Sequence, residues 1–272
     1  MASLSISRAW DESKARIAAD GRLMLVVAAA LIALPAIVAG VVTPAAARSN
    51  ASLADWLLLL AVSLIAIVGQ LALIRLALGT SVSVGEAIGH GARRMPIYFI
   101  AGIIIIGGLL LALIPIALVL MASGVPTDGP SMASSPVSMV LLLLYLALVL
   151  FVGIRMLMSS PVASEEAAGP IAILQRSWEL TSGNWWRLLG FIILFLIGMG
   201  ILMAAIGWAA AIAAELLFGP VEPMSASALL VAVVEATVQA AVSVVLAVML
   251  ARIYLQLSGR DQVDVSVPKS GT

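Results

Sequence analysis

Glu235, Gln239 and Ser243 recur at intervals of four inside an apolar stretch, which stacks a carboxyl, an amide and a hydroxyl on one helix face. A carboxylate inside a membrane is costly unless it is paired, protonated or wet. The pattern therefore reads either as an ion or proton path through a polar cavity, or as hydrogen bonding between spans with Gln70 or Ser63 as partners. A second group is cationic. Arg75, Arg155 and Arg252 each close an apolar stretch, within Ile74-Arg75-Leu76, Ile154-Arg155-Met156 and Ala251-Arg252-Ile253, and Arg176 and Arg187 flank a tryptophan-rich segment. Guanidinium pairs well with phosphate, so these five are candidate contacts to lipid headgroups. They could equally snorkel as anchors.

The single histidine, His90, follows Glu86 by one helical turn. Two ligands fall short of the roughly three that a catalytic metal takes from protein, and Gly85, Gly89 and Gly91 weaken a rigid helix there. The pair reads as solvated, and no metal site is expected. The absence of cysteine excludes a thiolate nucleophile and a disulfide. With no nucleophile elbow, no phosphate-cradling glycine loop and no His/Asp cluster, nothing supports a hydrolase, a nucleotide-driven pump or a bound cofactor. The protein is not expected to be an enzyme.

The elements that must carry these residues are set by hydropathy. The chain of 272 residues is 63% apolar and 10% charged, with a mean hydropathy of +1.19, against about half apolar and a quarter charged in a soluble domain. Its apolar residues fall in runs near the roughly 20 that cross a bilayer as a helix, at 23–42, 56–78, 97–122, 137–158, 188–218 and 226–257. The expected fold is an all-α integral membrane protein with six transmembrane helices. Pro35 and Pro115 should kink the first and third spans. Gly102, Gly107, Gly108, Gly198, Gly200 and Gly207 should let helices approach closely.

Net charge is zero, which points to no nucleic-acid partner, but the charges are unevenly placed. Counted in alternate segments, one side holds Arg8, Lys14, Arg16, Arg22, Arg75, Arg93, Arg94, Arg155, Arg176, Arg187, Arg252, Arg260 and Lys269, and the other only Arg48. That bias places both termini in the cytoplasm of a bacterium whose inner membrane the chain crosses. Ala45, Ala46 and Ala47 resemble a signal-peptidase site. The first apolar run is too long for a secretory signal, so it reads as an uncleaved anchor.

An internal repeat organises the spans. Arg8-Ala9-Trp10 before the first span is echoed by Arg176-Ser177-Trp178 before the fifth, and Ser83-Val84-Gly85-Glu86-Ala87 precedes the third. Together with Arg75, Arg155 and Arg252 these define units at 3–79, 82–158 and 169–257, each a cytoplasmic interfacial helix followed by a hairpin. The plainer alternative is that any hairpin protein carries cytoplasmic arginines. Residues 1–257 form one six-helix domain, and 258–272 a short cytoplasmic tail. In the third unit Ile171, Leu174 and Trp178 share a helix face, Gly169-Pro170 suits its start and Gly183-Asn184 its end. Trp10, Trp178, Trp185 and Trp186 are the expected interfacial anchors.

The stretch from Gly169 to Arg187, GPIAILQRSWELTSGNWWR, resembles the signature of the bacterial glycerophosphoryl diester phosphodiesterase membrane-domain family, and Ser83-Val84-Gly85-Glu86-Ala87 looks like its earlier loop. The resemblance implies a membrane module that in some members precedes a soluble, metal-holding phosphodiesterase barrel. Only 15 residues follow Leu257, so that activity is not expected here. The expected function is that of a non-enzymatic inner-membrane protein, lipid-associated or a scaffold or accessory module. Its expected partners are membrane lipids and another membrane or cytoplasmic protein. The alternative is a small transporter or channel with its polar site at Glu235 and Gln239.

Overall fold

The computed structural model describes residues 4–43, 52–79, 82–124 and 135–259. Ala45 to Ala47, Arg48, Arg260, Lys269 and all but the first residues of the expected tail lie outside them. Among the described residues every regular element is a helix. Six helical stretches are long and apolar enough to cross a membrane: Ile6–Val42, Leu53–Ala77, Val84–Ala122, Pro136–Glu165, Trp185–Phe218 and Ala226–Ser258.

Helix starts follow local capping chemistry. Helix α1 (Ile6–Ala28) begins where the Ser5 hydroxyl accepts from the Arg8 amide, and passes through a π-helical turn at Ala29–Ala33 into α2 (Leu34–Val42). Both α3 (Leu53–Ala77) and α4 (Val84–Leu111) open on capping boxes, Ser52 with Asp55 and Ser83 with Glu86. Then come α5 (Leu113–Ala122), α6 (Pro136–Arg155), α7 (Ser159–Glu165), α8 (Pro170–Thr181), α9 (Trp185–Phe218) and α10 (Ala226–Ser258). Helix α8 starts at Gly169-Pro170 and stops ahead of Gly183, whose φ is +84°, as its sequence predicts.

The expected surface helices before the first and third spans are not separate elements. Helix α1 runs directly into the first span, and α4 continues through Pro96 into the third. In α1 no breaking proline stands between the polar and apolar halves, and in α4 Pro96 stands there and gives up one amide donor without ending the helix. Pro35 is absorbed by the π turn just before it, whereas Pro115 ends the ladder at Ala112 and divides the third span into α4 and α5.

Of the glycines expected to pack closely only Gly207 does so, against Glu235, and the other close contacts use different glycines. A Cβ on Gly91 would meet the Val68 carbonyl oxygen at 2.7 Å, one on Gly69 the Leu31 Cβ at 2.9 Å, and one on Gly40 the Ala232 Cβ at 2.9 Å. Gly102, Gly107, Gly108, Gly198 and Gly200 face open space. A small residue marks close approach only where another helix lies against it, and the helix axes decide that.

Helix α10 is the spine, packed against α1, α2, α3 and α9, while α3 also packs on α4 and α7. Burial is concentrated at the end where the arginines gather, here called the basic end. In α3 it runs from Gly69 to Ala77, in α6 it is limited to Ile154, and in α5 no residue is buried. Helix α7 is buried from Ser159 to Ser164 and plugs the basic end between α3, α4, α8 and α10. At the other end α2 and α10 stay in contact, while α5 and most of α6 are left uncovered.

Candidate functional site

The polar groups that the fold brings together lie around α7. Arg75, from the last turn of α3, donates to Glu165 at the last turn of α7. Arg94 reaches the same helix from α4, donating to the Ala163 carbonyl at 3.0 Å, and reaches the Ala168 carbonyl beyond the helix end at 3.4 Å. Ser164 donates to the Leu71 carbonyl at 3.1 Å. Glu86 is occupied in its own capping box, so the Glu86–His90 pair is not formed. The plug is therefore tied to both neighbouring spans through its carbonyls and its one terminal charge.

Glu166 organises the next layer. Its Oε1 accepts from the hydroxyl of fully buried Tyr254 at 2.9 Å and from Arg176 Nε at 3.3 Å. Arg176 also reaches Glu179 at 3.2 Å. Partial burial works to lower the Arg176 pKa, but the hydrogen bonds and charges of Glu179 and Glu166 outweigh it and leave the value above the ordinary one.

Arg155 docks α8. Its Nη1 donates to Ser182 Oγ at 2.9 Å and to the Trp178 carbonyl at 3.4 Å, and its guanidinium lies 4.9 Å from the Trp178 ring and 5.4 Å from that of Phe151. The Arg155 carbonyl in turn accepts from Ser177 at 2.7 Å. Arg252 and Arg16 donate to the carbonyls of Ala77 and Leu76, both at 2.9 Å, which serves acceptors that the end of α3 leaves open. Arg187 donates to the Leu4 carbonyl at 3.0 Å. Each of the five arginines singled out in the sequence thus has a protein partner. Arg22 and Arg93, at the same end, are exposed and without a partner among the described residues.

The other sequence-selected residues are dispersed. Glu235 and Gln239 are exposed, Ser243 and Gln70 partly so, and among the described residues no hydrogen bond joins them. Ser63 spends its hydroxyl on the Leu59 carbonyl. Glu235 lies against α9, where a Cβ on Gly207 would sit 3.2 Å from its Oε1. Of the tryptophans, Trp10, Trp178 and Trp186 are exposed, and Trp185 is half-buried between Phe151 and Trp186. Trp56 and Trp208, also exposed, were not among the expected anchors. Among the described residues no group of three or more acidic or histidine side chains could hold a metal ion.

Sequence reasoning missed Glu165, Glu166, Arg94 and Tyr254. The available signal was an acidic pair behind Ser159-Ser160-Pro161-Val162-Ala163-Ser164, residues small enough to be buried, between Arg155 and Arg176.

These features define a multi-pass all-helical membrane protein whose charged residues brace one end of its bundle. Its sequence matches the family model described as a domain of unknown function (DUF7847) over residues 5–257, and the chain belongs to that family. This overturns the resemblance to the glycerophosphoryl diester phosphodiesterase membrane-domain family, which rested on the segment from Gly169 to Arg187 and a short loop near Ser83. A tryptophan- and arginine-flanked interfacial segment ahead of a hairpin is what the membrane interface selects in any such protein. No curated protein and no solved structure matches the chain.

Proposed function

We propose that the protein is a bacterial inner-membrane protein with its basic end in the cytoplasm, built as three hairpins of which the third is preceded by a separate interfacial helix, that associates with lipid and acts without covalent chemistry. One observation carries this reading. The arginines of the core network are held by protein, while Arg22 and Arg93 stand exposed at the same end and the far half of the bundle leaves its apolar surface uncovered. Free guanidinium groups at the membrane surface suit anionic headgroups. The basic bias of one side supports the orientation. A reporter fused after Thr127 is expected to be active outside the cytoplasm and one fused after Thr272 inactive there. Vesicles rich in anionic lipid are expected to raise the unfolding midpoint relative to zwitterionic ones, and the Arg22→Ala, Arg93→Ala variant should lose that difference. An unchanged difference refutes the headgroup contact.

Glu235 supports a second reading, a small transporter or channel, because an acidic side chain stands inside a span against Gly207 of the neighbouring helix. Glu235→Gln would then abolish proton or solute flux in proteoliposomes. Undiminished flux, or none in the wild type, removes this reading.

A further inference from the structure

Exposed hydroxyls within the spans can close on their own helix, as Ser63 does on the Leu59 carbonyl at 2.8 Å and Thr237 on the Val233 carbonyl at 2.7 Å. Glu235 and Gln239 do not. Both are exposed on α10, one turn apart, and neither has a hydrogen-bond partner among the described residues. At 1.5 Å per residue from Arg252 at the basic end, Gln239 stands about 20 Å and Glu235 about 25 Å along a hydrocarbon core about 30 Å thick. Both side chains therefore open into hydrocarbon, where an ionised carboxylate or an unpaired amide is strongly unfavourable.

The neighbouring helices do not supply the missing partners. Helix α2 meets α10 through Gly40 against Ala232, and α9 meets it through Gly207 beside the Glu235 Oε1. Neither glycine has a side chain that could pair with the acid or the amide.

A second copy of the chain supplies those partners by symmetry. Copies of one sequence insert with one orientation, so two of them meet across a two-fold axis along the membrane normal and like residues face each other at like depth. A primary amide holds donors and an acceptor together, and so does a protonated carboxyl. Gln239 is thus complementary to its own counterpart, and Glu235 to its own. A lipid tail offers neither group, and an unrelated span would have to place a matching pair at the same two depths. We infer that this face of α10 is a homodimer interface, in which the Gln239 amides pair with each other and the Glu235 carboxyls pair through shared protons. The inference needs only the membrane-spanning architecture and is separate from the headgroup contact of Arg22 and Arg93.

The chain contains no cysteine, so a single introduced thiol reports the contact without background. The test uses the full chain at high dilution in phosphatidylethanolamine and phosphatidylglycerol vesicles. Under copper phenanthroline, Gln239→Cys is expected to cross-link into a dimer about tenfold faster than Leu144→Cys, an exposed position on α6, because only facing positions bring their Cα atoms within the ~7 Å that a disulfide spans. By single-molecule photobleaching the wild type should be dimeric, and Glu235→Leu combined with Gln239→Leu should weaken association about tenfold, the effect of losing two hydrogen bonds between spans. Glu235→Gln, which keeps a self-complementary group, should retain the dimer. Equal cross-linking of Gln239→Cys and Leu144→Cys, a monomeric wild type, or undiminished association of the double Leu variant overturns the interface. Undiminished association with loss of flux would assign the pair to a transport path instead. Stabilisation by anionic lipid is scored on the same samples, so the lipid-associated reading and the interface fail separately.

Discussion

Arg75 and Glu165, 90 residues apart in the chain, pair where the last turn of α3 meets the last turn of α7. This contact fixes the buried plug to the most densely packed part of the bundle. Both side chains are about one-fifth exposed, at 22% and 21%, so solvent screens them only in part.

Arg75→Ala leaves a partly buried carboxylate short of a donor and is expected to destabilise by about 1–3 kcal/mol. Thermal unfolding in detergent of Arg75→Ala, Glu165→Ala and the double variant should give a coupling above about 0.5 kcal/mol. Strict additivity would show that the two side chains do not support each other.

Gly91→Ala forces a methyl group against the Val68 carbonyl, 2.7 Å away on a backbone that cannot yield cheaply. The expected loss is about 1–3 kcal/mol. Gly102→Ala, on the same helix facing open space, should be neutral or slightly stabilising, since alanine favours helix. Equal midpoints for the two would contradict the α3–α4 contact.

Tyr254→Phe keeps the packing of a fully buried ring but removes the donor to Glu166. A loss of about 1 kcal/mol is expected. Because Glu166 also accepts from Arg176, Arg176→Ala combined with Tyr254→Phe should cost more than the two single losses together, and strictly additive losses would place Glu166 outside this network.

Arg155→Lys retains charge but loses the planar donor that spans Ser182 and the Trp178 carbonyl while lying over the indole. Amide exchange across α8 should speed up several-fold, with α3 unchanged. Unchanged α8 protection would show that its docking rests on apolar contacts with Ile173 and Leu180 alone.

Much of the fold was legible because it follows from local properties. Six apolar runs gave six long helices, and Gly169-Pro170 and Gly183 bounded α8. The site was less legible. Arg75, Arg155 and Arg252 were placed by position at span ends, but a position does not reveal whether the guanidinium meets lipid or a carbonyl of its own chain. Glu165 and Glu166 read as loop residues because nothing in the order of residues 159–166 shows that three spans close over them.

By itself the sequence determined the number of spans, the starts that Ser5, Ser52, Ser83 and Ser225 cap, and the gathering of positive charge at one end. Each depends on residues within a turn or a run of one another. Only the tertiary structure decided that α7 is buried, that Gly91 and not Gly102 is the close contact, and that Arg75 pairs with Glu165. Those outcomes depend on how helices distant in sequence cross, which is set by packing the whole bundle at once.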